Sequence, residues 1–105
     1  MTLLIQGNAL TVLKTMPDCI ADICLCSPAY WKQRDYGVAG QIGQEQTVEE
    51  YLERLWAVFQ ELPRILKPHG TCWVNLGDKY KHKHAQLIPE RFAVGMAAMG
   101  GCLAV

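Results

Sequence analysis

A surplus of either charge is missing from this chain: ten basic and ten acidic residues cancel to a formal net charge of zero. A domain that lives on phosphate contacts through bulk charge carries a strong basic excess. Any nucleic-acid role must therefore rest on particular residues. Long apolar runs are missing too, since nothing approaches the roughly 20 residues that span a bilayer. Met1-Thr2-Leu3 opens without the basic region of a secretory leader. No CxxC pair occurs among the five cysteines at 19, 24, 26, 72 and 102. Most of these lie in apolar runs, where cysteine acts as a small hydrophobe. They read as reduced thiols of a cytoplasmic protein. Cys24 and Cys26 share one face of a strand and read as buried thiols rather than metal ligands. His82 and His84 make no metal set by themselves. Also lacking are GxGxxG, the P-loop, the nucleophile elbow and zinc-ligand spacing.

What is there fits one compact domain of 105 residues, half hydrophobic and 19% charged. Leu3-Leu4-Ile5 reads as a short strand closed by Gly7-Asn8. Apolar residues at 9, 10, 12, 13 and 16 predict a helix stopped by Pro17, with Asn8 as N-cap. Ile20 to Cys26 is apolar except for Asp22, the pattern of a parallel strand covered on both faces. Trp31 to Gln46 is a long polar loop with glycines at 37, 40 and 43, and loops of that length are usually functional or disordered. Thr47-Val48-Glu49-Glu50 reads as a capping box that starts a helix reaching Lys67. Tyr51, Leu52, Leu55, Phe59, Leu62 and Leu66 share its inner face. Pro63 predicts a kink or break, because it removes one helical hydrogen bond. Thr71 to Leu76 reads as a second buried strand, residues 79–84 as a basic loop, and Pro89 to about Met99 as a helix. Cys102 to Val105 could begin a further strand. Alternating strands and helices predict an α/β fold with a mostly parallel sheet and flanking helices.

In open α/β sheets, sites form beyond the carboxyl ends of strands. Ser27-Pro28-Ala29-Tyr30 and Asn75-Leu76-Gly77-Asp78 are two such ends. Ser27 offers a hydroxyl, Pro28 a carbonyl, and Tyr30 a ring on which a base can stack. Together they can hold a flat ring bearing an amine, though four such residues also suit a plain turn. Asp78 either faces the pocket or caps a turn. Lys32 and Arg34 either touch phosphates or face solvent. Lys79, Lys81, His82, Lys83 and His84 form a basic patch, read as a DNA contact or as a solvated loop.

Ser27-Pro28-Ala29-Tyr30 resembles the SPPY motif of the N4-cytosine and N6-adenine DNA methyltransferases. The neighbouring stretches Gln6-Gly7-Asn8-Ala9-Leu10, Trp31 to Gly37, Gly40 to Gly43 and Leu66 to Thr71 match that family in order. Asn75 to Tyr80 is similar to its NLGDSY stretch, and Ile88-Pro89-Glu90-Arg91 to its later helix. The resemblance covers about residues 3 to 101. It implies a partial Rossmann-like methyltransferase fold and a restriction-modification enzyme acting on double-stranded DNA. S-adenosyl-L-methionine (SAM) would be its methyl donor. It further implies a target base flipped into a pocket, its amino group held by Ser27 and the Pro28 carbonyl and its ring stacked on Tyr30. Asn8 and Asp78 fall near the cofactor; Lys32, Arg34, Lys79 and Lys81 fall where DNA would lie. Serine in first place leans toward cytosine N4, with adenine N6 the alternative.

The pattern also departs from the family. Ala29 replaces the second proline, which loosens the turn. No Phe-x-Gly-x-Gly loop occurs to cradle SAM, and the segment that reads DNA sequence is absent. Residues 1–105 are thus expected to be a single incomplete domain, the target-base half, with a homodimer or second chain covering an open sheet edge. The competing reading is a non-catalytic remnant or a binding module.

Overall fold

The computed structural model describes residues 2–98. The expected strand at Cys102 to Val105 lies outside the described residues. Eight elements follow one another: α1 (Ala9–Thr15), β1 (Ala21–Cys26), α2 (Val48–Phe59), α3 (Leu62–Ile65), β2 (Leu66–Val74), β3 (Tyr80–Lys81), β4 (His84–Ala85) and α4 (Ile88–Ala98). β1 and β2 pair in parallel, while β3 and β4 form an antiparallel hairpin. The protein is α/β, as the sequence predicts, but its parallel sheet has two strands among the described residues.

Leu3-Leu4-Ile5 forms no strand; all three side chains are exposed and no neighbouring backbone pairs with them. A strand without a ladder partner leaves its N–H and C=O groups to water, and its apolar pattern alone does not hold it. α1 starts at Asn8, whose side chain accepts from Thr11 N–H at 3.1 Å. Arg64 finishes it, donating to the carbonyls of Leu13 and Met16 and to Asp18.

The long helix is broken rather than kinked. α2 ends at Phe59 and α3 begins at Leu62, because Pro63 has no N–H to return to the Phe59 carbonyl. Thr47 accepts from Glu50 N–H at 3.2 Å, which is one half of the expected capping box. The strand that follows starts earlier than the sequence suggests. Leu66 already pairs with Ala21; residues 67–70 then bulge out, and pairing resumes at Ile23 and Thr71. Gly70 permits that bend, since a Cβ there would lie 2.9 Å from the Lys67 carbonyl. Lys67 and His69, on the bulge, both reach Asp22.

The core lies between α2 and α4. Tyr51, Leu52, Leu55 and Phe59 of α2 meet Ile88 and Phe92 of α4, with Trp31 and Leu62 closing its ends. Phe59 and Phe92 meet edge to face at 5.1 Å between ring centroids. Gly95 costs α4 some helix propensity, but it lets the Trp56 indole lie against the helix backbone and donate to the Phe92 carbonyl at 3.1 Å. Burial on both faces of β1 and β2 is corrected by the structure. Cys24, Cys26 and Val74 lean on the core, whereas Ile23, Leu25 and Trp73 are exposed, because no helix among the described residues packs on that side.

Candidate functional site

Two segments leave the parallel sheet side by side. Asn75 N–H donates to the Cys26 carbonyl at 2.9 Å, so the pairing of β1 and β2 runs one step beyond the strands. Ser27 to Tyr30 and Asn75 to Asp78 therefore emerge together, at the carboxyl ends where α/β sheets bind ligands. Tyr30 leans over the neighbouring segment: a Cβ on Gly77 would lie 2.8 Å from its Cε2. Only glycine leaves that ring room to settle.

The turn is held from behind as well. The Tyr51 hydroxyl, on the buried face of α2, donates to the Ala29 carbonyl at 2.6 Å. Burial raises the Tyr51 phenol well above its ordinary range, helped by Glu45 and Tyr30, so it remains a donor. Gly43 supports the turn from below with φ +116°, and a Cβ there would press on Ala29 and on the Tyr30 carbonyl at 3.3 Å. Lys32 N–H returns to the Gly43 carbonyl at 2.6 Å.

That support comes from the long loop, which is pinned in place. Glu45 is buried and accepts from Gly43 N–H at 2.9 Å and from Arg54 of α2 at 2.6 Å. Arg54 also holds the carbonyls of Gly40 and Gln41. Trp31 is buried and donates from its indole to the Glu45 carbonyl at 2.8 Å.

Against this frame, Ser27, Pro28, Ala29 and Tyr30 line an open recess of about 230 Å³, with Gln33, Arg34 and Tyr36 on its far wall. Neither the Ser27 hydroxyl nor the Pro28 carbonyl has a hydrogen-bond partner among the described residues. Both acceptors are thus available to an incoming N–H.

The candidate residues divide. Ser27, Pro28, Tyr30 and Arg34 come together at the recess. Lys79 and Lys81 come together beside it at Trp31, their ammoniums 5.9 and 5.8 Å from its ring centroid, while the Lys32 ammonium donates to the Gln44 carbonyl at 3.4 Å. The expected loop at 79–84 is the β3–β4 hairpin, whose turn residues His82 and Lys83 have φ 51° and 65°. Asn8 and Asp78 are both engaged as caps. Asp78 accepts from Leu87 and Ile88 N–H at 3.1 and 3.0 Å, closing the start of α4. Burial works against its charge, but the N–H groups of Ile88, Lys79, Leu87 and Gln86 outweigh it and hold its carboxyl below the ordinary range. With their side-chain oxygens so used, the described residues do not by themselves fit a cradle for a nucleoside-bearing cofactor.

Sequence reasoning placed Tyr51 only in the core and missed Trp31, Gly43, Glu45 and Arg54 as supports. The glycines at 40 and 43 marked a turn-rich loop, but nothing in the sequence said what it would hold. Cys24 and Cys72 were also not paired in advance: they face each other across β1 and β2. The Cys72 thiol donates to Cys24 and lowers it to about 7, while Cys72 itself is raised. No group of three or more metal-ligating side chains is assembled among the described residues. No helix there is long and apolar enough to cross a membrane.

Two acceptors without partners among the described residues and an aromatic ring thus stand together at the paired strand ends of an α/β protein. Residues 21–99 match the family model described as DNA methylase, and the chain belongs to that family. It is 44% identical over 98 residues to the type II methyltransferase M.MwoI of Methanothermobacter wolfeii, covering 90% of this chain and 15% of that protein. It is 47% identical over 77 residues to M.XycI of Xanthomonas campestris pv. cyanopsidis, covering 73% of this chain and 26% of the relative. M.Cfr9I of Citrobacter freundii is 44% identical over the same length, with the same coverage. The chain thus spans between about a seventh and a quarter of the length of these relatives. No solved structure matches.

Proposed function

We propose that this chain is the target-base-binding part of a DNA methyltransferase that modifies the exocyclic amine of a flipped base, cytosine N4 in first place and adenine N6 as the alternative. Residues 1–105 would form one portion of a larger Rossmann-like methyltransferase domain. The observation that carries this is the pair of unpartnered acceptors, the Ser27 hydroxyl and the Pro28 carbonyl, beside the Tyr30 ring in an open recess. Ser27 and Pro28 would each accept one N–H of the amine, leaving the nitrogen lone pair out of those bonds. Tyr30 would stack on the base, a contact worth about 1–3 kcal/mol. Catalysis would then rest mainly on positioning. SAM is the donor that family membership implies, supplying an electrophilic sulfonium methyl group. Asn8 and Asp78 are the cofactor-side candidates, but both oxygens of Asp78 already close α4. That same fact favours a second reading, a remnant that holds the base without transferring a methyl group. Lys32, Arg34, Lys79 and Lys81 would face the DNA.

The test is incubation of the folded chain with methyl-tritiated SAM and unmethylated duplex DNA, followed by chromatography of the hydrolysed nucleosides. Label in N4-methylcytosine supports the first reading, and label in N6-methyladenine moves the target to adenine. In an active form, Ser27→Ala should lower transfer by at least tenfold, and undiminished transfer would remove Ser27 from the site. A folded chain that transfers nothing does not catalyse by itself, and the Ser27→Ala comparison then belongs to a longer protein that contains these residues.

A further inference from the structure

All ten lysines and arginines lie within the described residues, and they sort into two groups. Arg54, Arg64, Lys67 and Arg91 each pair with a carboxylate. Lys14, Lys32, Arg34, Lys79, Lys81 and Lys83 do not pair with one among the described residues. Of these six, all but Lys14 lie on two segments, the loop after Tyr30 and the β3–β4 hairpin.

The two segments are tied together. Lys79 donates its ammonium to the Lys32 carbonyl at 3.0 Å. Lys79, directly before β3, and Lys81 within it both hold their ammoniums near the Trp31 ring, at 5.9 and 5.8 Å. The ring attracts each cation, but neither ammonium pairs with a carboxylate among the described residues. Glu49, which senses Lys81, is itself engaged by Arg91 at 3.1 Å. Both ammoniums thus remain open to an anion from outside the chain. A chain of neutral net charge thus concentrates its unpaired cations on one flank. The hairpin carries them on a tight two-residue turn with Lys83 at its tip. Trp31 directly follows Tyr30, so this flank begins one residue from the recess.

We infer that Lys79 and Lys81 beside Trp31, Lys32 on the adjoining loop and Lys83 at the hairpin tip form a clamp on the DNA sugar–phosphate backbone beside the held base. This rests on the recess being a target-base site. Cations strung along two segments suit a line of repeated phosphates better than one small anion, which converging N–H donors would enclose. Lysine ammoniums also suit a contact that must tolerate any base sequence.

The test is fluorescence anisotropy of the 105-residue chain on a fluorescein-labelled duplex of mixed sequence, titrated across a salt series. Each phosphate contact contributes about 0.9 to the slope of log affinity against log salt. Lys79→Ala/Lys81→Ala should flatten that slope by about 2 and weaken binding about tenfold or more at low salt. Lys79→Arg/Lys81→Arg should keep the slope, which separates lost charge from misfolding, and Lys14→Ala should leave it unchanged. An unaltered slope in the alanine pair overturns the clamp, as does a wild-type chain that shows no salt-dependent binding. Methyl transfer is a separate readout: a flattened slope without any methylated product keeps the clamp and shows that residues 1–105 do not transfer by themselves.

Discussion

The two sides of β1 and β2 could hardly differ more. Toward α2 and α4 a core is packed, with Tyr51 and Ile88 wholly buried. On the other side Leu25 is 81% exposed and Trp73 60% exposed. On the core side an apolar space of about 480 Å³ also remains between α1, β1 and α2, lined by Val12, Leu13, Cys24 and Leu55 among others. The packed side supports the recess from behind through Tyr51, Glu45 and Arg54. The recess can thus be shaped before the rest of the sheet is covered. The difference teaches that support for the turn and cover for the sheet are separable tasks in this chain.

The widest gap should appear in paired truncations. Leu55→Ala removes a fully buried side chain and should cost about 2–5 kcal/mol in denaturant unfolding. Leu25→Ala removes an exposed one and should change stability by less than about 0.5 kcal/mol. Equal losses would mean that the open face is covered in solution, and the comparison would break. Next in size is Gly77→Ala, which sets a Cβ 2.8 Å from the Tyr30 ring. Overpacking of that kind costs about 1–3 kcal/mol. Here it should also push Tyr30 out of the recess, visible as a shifted tyrosine ring signal in NMR spectra. Unmoved Tyr30 resonances would show that Gly77 does not set the ring. Tyr51→Phe should be milder, about 1 kcal/mol, because it takes one donor from the Ala29 carbonyl and leaves the ring packed. Its effect should reach the turn more than the core, and Tyr30 and Ala29 amide shifts that stay fixed would count against Tyr51 as a support.

The sequence was most readable where one residue acts on its own neighbours. Asn8 and Thr47 cap their helices, and Pro63 breaks one, because each effect is confined to a single turn of backbone. The motif at Ser27 to Tyr30 was legible for the same reason: a hydroxyl, a carbonyl and a ring sit on consecutive residues. Partners distant in sequence were not. Ala29 and Tyr51 are 22 residues apart, Trp31 and Glu45 are 14, and nothing in either segment names the other. The strands misled for a related reason. Leu3-Leu4-Ile5, Leu25 and Trp73 carry the pattern of buried residues, but burial needs a second surface that pattern alone does not supply.

Asp78 joins the two regions, and its test is the finest. It follows the exposed strand β2, yet its two oxygens close the start of α4 on the packed side. Asp78→Ala should cost about 1 kcal/mol near neutral pH, the usual value of a helix cap. The backbone N–H groups favour the carboxylate, so the folded carboxyl titrates below its ordinary value of 3.8. The sign follows: this stabilisation is present above the unfolded value and is lost as pH falls through the folded one. Wild type and Asp78→Ala should therefore differ in urea midpoint at pH 7 and converge in strong acid. If the cap alone joins the regions, the loss should also raise amide exchange at Leu87 and Ile88 while Leu55 stays protected. Faster exchange at all three would mean that the hairpin flank and the core open as one unit.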